Sequence, residues 1–146
     1  KRESPVVTNE IPLVITASNE YVKLSLIELA DQISDNFTIM DDDQKEKLHL
    51  AAVVVNNFSN HLYTLTHDFC ASEDVPFDLL VPLITETAEK LNSDLPENNQ
   101  TGPAIRNDNS NIERHLKKLE KYPDLFKLYC IFSEGIIKKY KKSENN

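Results

Sequence analysis

Two short strand-like stretches with one helix between them constrain this chain more than any other feature. Residues 11–17 read IPLVITA, a nearly unbroken apolar run rich in β-branched side chains. Such a run suits a strand covered on both faces. Ser18 and Asn19 follow as helix N-caps, and Val22, Leu26, Leu29, Ala30 and Ile33 fall on one helical face. Residues 37–40, Phe-Thr-Ile-Met, read as a second strand. Strand, helix, strand at this spacing predicts a βαβ unit with parallel strands. Two parallel strands do not make a self-sufficient sheet, and no other convincing strand occurs. The remaining strands are therefore expected in sequence upstream or in another chain. The chain opens at Lys1 directly ahead of strand-like sequence, so it is expected to be a piece of a longer protein.

Composition narrows the partners. Of 146 residues, 40% are hydrophobic and 27% charged, a globular balance. The net charge of −8 repels phosphate backbones and anionic lipid, so neither nucleic acid nor a membrane surface is expected as a partner. No apolar run approaches membrane-spanning length. Lys138, Lys139, Lys141 and Lys142 form the one basic cluster and read as a solubilising end. Cys70 and Cys130 lack CxxC spacing and read as reduced thiols of a cytoplasmic protein. His61 and His67 are six apart, which does not suit a shared metal on one helical face, so no metal site is expected.

The rest of the chain is helical. A long helix is expected to begin near Asp43, with Glu46 in its first turn, and to reach about Ser72. Its core stripe is Leu48, Ala51, Ala52, Val55, Ser59, Leu62, Leu65 and Phe69. Pro82 implies a kink or a later helix start. Residues 92–109 form a long irregular connection. Ser110 and Glu113 suggest a capping box for the next helix, and Pro123 starts the last one.

Two groups could carry chemistry. On the long helix, His49, Val53, Asn56, Asn60, Tyr63 and His67 recur every three or four residues, which places them on one face of a regular α-helix. They either line a polar cleft or hydrogen-bond to neighbouring helices. The second group is residues 100–108, QTGPAIRND, with His115 one helix later. Gly102, between Thr101 and Pro103, is expected to need a special backbone angle. Arg106 could grip an anion, pair with Asp108, or cap a carbonyl. With two glycines in the chain, no GxGxxG exists. Any loop that binds dinucleotide phosphate lies elsewhere, and the cofactor-binding residues stay unknown.

The run Lys47-Leu48-His49-Leu50-Ala51-Ala52-Val53, then Asn57-Phe58 and Asn60-His61-Leu62, resembles the interdomain helix of a family of inferred NADP-dependent oxidoreductases. In that family a Rossmann-like domain precedes a helical domain of unknown function. Pro82-Leu83-Ile84, Glu86-Thr87 and, most specifically, Thr101-Gly102-Pro103-Ala104, Arg106, Asp108 and His115-Leu116 resemble its other characteristic stretches. The similarity runs from about Ile11 to Ile137. The family is similar to the 6-phosphogluconate dehydrogenase-like superfamily.

The resemblance implies a mostly α fold. A helical domain like the C-terminal domain of 6-phosphogluconate dehydrogenase (residues 43–146) would follow a βαβ remnant of a Rossmann domain (residues 1–42). It also implies NADP bound by the upstream domain, and a homodimer. Many superfamily members place a lysine four residues before an asparagine on the first long helix. Here Ala52 and Val53 stand at those positions, and Lys47 is nine residues before Asn56. His49 is the substitute proton donor this reading offers, with Asn56, Asn60, Thr101 and Arg106 on the substrate side. The expected function is hydride transfer between NADP and a small carbonyl or imine, with this piece inactive alone. The alternative is a non-catalytic dimerisation or nucleotide-sensing module.

Overall fold

The computed structural model describes residues 11–141. The chain divides into two compact units, one through Ser59 and one from Asn60.

The first unit holds the βαβ arrangement. Strand β1, Leu13–Ile15, pairs in parallel with strand β2, Phe37–Ile39, in the register Leu13↔Phe37, Val14↔Thr38 and Ile15↔Ile39. Backbone bonds extend the ladder at both ends, from Leu13 N to Asn36 O (2.9 Å) and from Met40 N to Ile15 O (3.0 Å). The helix between them, α1, spans Glu20–Asp31, and Asn19 caps it by accepting from Val22 N at 2.9 Å. Ile15 and Ala30 are buried. The strands are shorter than the sequence suggests because pairing needs a partner at each position, and among the described residues the sheet contains β1 and β2 alone.

Ser34, 2% exposed, ties the turn into β2. Its Oγ donates to Ile11 O at 2.6 Å and accepts from Asn36 N at 3.1 Å. Ser34→Ala removes the bonds of this hydroxyl, those to Ile11 O and from Asn36 N among them. We expect a loss of about 1 kcal/mol. Faster hydrogen exchange at the Leu13 and Met40 amides would report it.

Helix α2, Asp42–Ala52, begins earlier than Asp43 and Glu46 suggest. Asp41 is its N-cap, and Gln44 completes a reciprocal capping box at 2.8 and 3.0 Å. A π-helical run, Val53–Phe58, follows. Three successive β-branched valines crowd an α-turn, and the two asparagines that follow hold it poorly. This run corrects the expected single face: spacings of three and four coincide on an α-helix, whereas each π-turn takes roughly one residue more. The apolar stripe Leu48, Ala51, Ala52 and Val55 is exposed, Val55 by 72%. The residues that periodicity assigns to a core have no cover in this unit.

The second unit is helical. Helix α3, Ser59–Ser72, ends where the sequence predicts. A 3₁₀ turn at Phe77–Leu80 precedes α4, Val81–Glu89, so Pro82 marks a later helix start, in the first turn where it is tolerated. Helix α5 spans Asn109–Leu119 and α6 spans Pro123–Lys141. Cys70, Ala104 and Leu119 are buried. Phe69 meets Tyr122 edge-on at 5.0 Å, and the Tyr122 hydroxyl donates to Glu73 at 2.6 Å, which pins the end of α3 to the start of α6. Cys70 and Cys130 are free thiols, Cys70 buried and Cys130 half-buried. Lys142 of the basic cluster lies outside the described residues. The fold is thus mostly α-helical with a small parallel sheet.

Candidate functional site

His49 sits in the last turn of α2, and Asn56 in the π-helical run, both exposed. The Asn56 amide donates only to its neighbour Asn57, at 3.3 Å. Within the first unit no hydrogen bond joins His49 to Asn56 among the described residues. Within this unit, no hydrogen bond among the described residues ties either side chain to a neighbouring helix. Asn60 on α3, Thr101 and Arg106 belong to the second unit, and all three are exposed.

The 100–108 segment is built around its backbone. A 3₁₀ turn at Pro96–Asn99 leads into it, and Gly102 takes φ +108°, the special angle its position predicts. Ala104 is buried. Backbone bonds from Asp108 N to Pro103 O (2.9 Å) and from Asn107 N to Ala104 O (3.2 Å) close the turn. Asn107 is left-handed at φ 52°, a conformation asparagine tolerates.

Asp108, not Ser110, caps α5. Its carboxylate accepts from Asn111 N at 3.2 Å, from Ser110 Oγ at 2.9 Å and from the Asn111 side-chain amide. Those bonds, the Asn111 side chain first, hold the Asp108 carboxyl below its ordinary range, and the nearby Arg106 charge adds least. Arg106 forms no ion pair among the described residues. Of the three roles open to it, pairing with Asp108 falls away and anion binding stays available.

The depressed carboxyl fixes the sign of a pH effect. A group with a lowered folded pKa contributes stability above its unfolded pKa and loses it as pH falls through the folded one. The start of α5 should therefore hold at neutral pH and fray in acid, below the ordinary aspartate range. Amide exchange at Asn111 and Ile112 measured across that range checks this, and Asp108→Asn, whose amide oxygen still caps the helix but does not titrate, should remove the pH dependence.

His115, singled out in the sequence, has a partner that sequence reading missed, Tyr129. His115 Nδ1 lies 2.9 Å from Tyr129 Oη, with the rings edge-on and centroids 5.8 Å apart. The partners come from α5 and α6, so no local spacing could have revealed them. Burial pushes the Tyr129 hydroxyl up, while a hydrogen bond from Ser133, one turn along, acts against it. Beside this pair, a cavity of about 270 Å³ opens between the Thr101–Ala104 turn and α6, with Leu62 of α3 on its wall. Among the described residues no three His, Cys, Asp or Glu side chains gather as metal ligands. No described helix is long and apolar enough to cross a membrane.

Residues 11–136 match the family DUF2520, a domain of unknown function. The "putative NADP oxidoreductase BF3122" of Bacteroides fragilis is 38% identical, with a TM-score of 0.83 over 92% of this chain and 52% of its own. Protein TM1727 of Thermotoga maritima is 23% identical, with a TM-score of 0.79 over 95% of this chain and 56% of its own, and this likeness is one of fold. The chain therefore spans about half the length of these two solved structures. No curated protein gives a significant match.

Proposed function

Because this chain belongs to the DUF2520 family, we propose that it is the C-terminal, substrate-side part of an NADP-dependent oxidoreductase acting on a small carbonyl or imine. The observation that supports this reading is the 38% identity, across 92% of the chain, to the Bacteroides fragilis protein whose name gives NADP oxidoreductase and no substrate; the carbonyl or imine is this proposal's own addition. The two-stranded parallel sheet agrees with it, as the end of a Rossmann-type domain at residues 1–42. Residues 43–146 then form the helical domain, in the 6-phosphogluconate dehydrogenase-like superfamily.

NADP would be held by the preceding domain. Among the described residues, the only positive-φ glycine is Gly102, and the turn around it offers no glycine-rich phosphate cradle. The nucleotide supplies or accepts hydride. Of this chain's own residues, His49 of the first unit is the candidate to exchange a proton at the oxygen or nitrogen, with Asn56 of that unit as a polar neighbour; Asn60, Thr101 and Arg106 are the substrate-binding candidates of the second unit, each taken within its own unit. The exposed stripe from Leu48 to Val55 supplies the apolar cover for a homodimer or for the preceding domain.

The test is NADPH consumption by the longer polypeptide over a panel of small aldehydes, ketones and cyclic imines. Turnover of any member above the nucleotide's background loss supports the proposal. NADPH binding without turnover across the panel favours the second reading, a nucleotide-sensing or dimerisation module. That reading draws on the absence of lysine at Ala52 and Val53.

A further inference from the structure

The cavity in the second unit has the composition of a small-molecule site. Its wall is mainly apolar, with Pro103, Leu128 and Phe132 prominent, and three hydroxyl-bearing residues, Thr101, Tyr129 and Ser133, line it as well. Small-ligand sites combine an apolar lining with a few placed polar groups. At about 270 Å³ this one lies just below the usual range of roughly 300–1,000 Å³, which selects a small occupant.

The polar side is fixed in place. Ser133 is buried on α6, and Tyr129 stands one turn before it, held by His115 at 2.9 Å from the facing helix. A neutral imidazole gives one donor and one acceptor nitrogen. If Nδ1 carries the proton it donates to Tyr129 Oη and the phenol proton is available to the cavity. If it does not, the phenol donates to His115 and its oxygen still accepts. The opposite wall is set by Gly102, whose φ of +108° turns Thr101 and Pro103 toward α6.

We infer that this cavity binds a small molecule with a compact apolar body and a single carbonyl or hydroxyl oxygen, anchored on Tyr129 and its hydroxyl neighbours. The inference goes beyond the proposed function: of the residues placed there on the substrate side, Thr101 alone lines this cavity. A charged sugar phosphate is disfavoured, because the lining residues carry no cation.

The test is a methyl NMR titration of this chain, without nucleotide, using cyclohexanone and benzene as probes. Cyclohexanone should give saturable shifts at the Leu125, Leu128 and Ile136 methyls, and benzene should bind the same methyls more weakly. Tyr129→Phe should weaken cyclohexanone by about three- to tenfold, the worth of one hydrogen bond, and leave benzene unchanged. Leu128→Phe, which narrows the cavity, should weaken both. Shifts that do not saturate, shifts centred elsewhere, or Tyr129→Phe affecting the two probes alike would overturn the assignment. NADPH plays no part here, so failure of this site and failure of the oxidoreductase reading are separate results.

Discussion

Replacing His49 by alanine in the longer polypeptide should lower kcat by about 10²–10⁴-fold, the usual contribution of one positioned acid or base. Stability should hardly change. His49 is exposed, every residue of α2 around it is exposed, and no hydrogen bond of the imidazole is present to lose. Exposed substitutions of this kind stay within about 0.5 kcal/mol. That separation makes the variant informative: a large kinetic effect on an unaltered fold can arise only from a role in turnover. His49→Gln, which keeps polarity but cannot shuttle a proton, should be as slow as alanine. If either variant turned over at the parent rate, His49 would be a solvated helix residue, and the proton donor would have to be sought elsewhere.

The two glycines should respond to alanine with opposite signs. Neither would bring an added methyl within 4 Å of another atom, so crowding plays no part in either case. Gly102 holds φ +108°, where an L side chain is strained, and Gly102→Ala should cost about 1–3 kcal/mol. Gly135 lies inside α6 and is exposed, so Gly135→Ala should gain about 0.5–1 kcal/mol by reducing the freedom of the unfolded chain. Thermal unfolding of the two variants side by side measures this. Because Gly102 also sets one wall of the cavity, its substitution should loosen cyclohexanone binding, and Gly135→Ala should not.

Much of the fold was legible because it rests on local rules. The β-branched run at residues 11–17, the Asn19 cap and the apolar face of α1 together point to a βαβ unit, and the parallel direction of its strands follows from connectivity. Gly102 between Thr101 and Pro103 marked an unusual turn for the same reason.

The failures have physical causes too. A pattern of threes and fours cannot disclose the π-helical run at Val53–Phe58, because an i→i+5 turn leaves no spacing signature of its own. Caps shifted from Asp43 to Asp41 and from Ser110 to Asp108, since several side chains in each segment could accept the same amide and tertiary placement chose among them. Periodicity identified Leu48, Ala51, Ala52 and Val55 as residues that want cover, yet says nothing of what provides it. The His115–Tyr129 bond joins two helices fourteen residues apart, beyond the reach of any motif.

The central claim is that this chain is the substrate side of a protein whose nucleotide site lies in a preceding domain. Equilibrium titration with NADPH, read by nicotinamide fluorescence, tests it on two samples: this chain and the longer polypeptide. The account predicts saturable binding by the longer polypeptide and none by this chain. Saturable NADPH binding by this chain by itself, or no binding by the longer polypeptide, would contradict it.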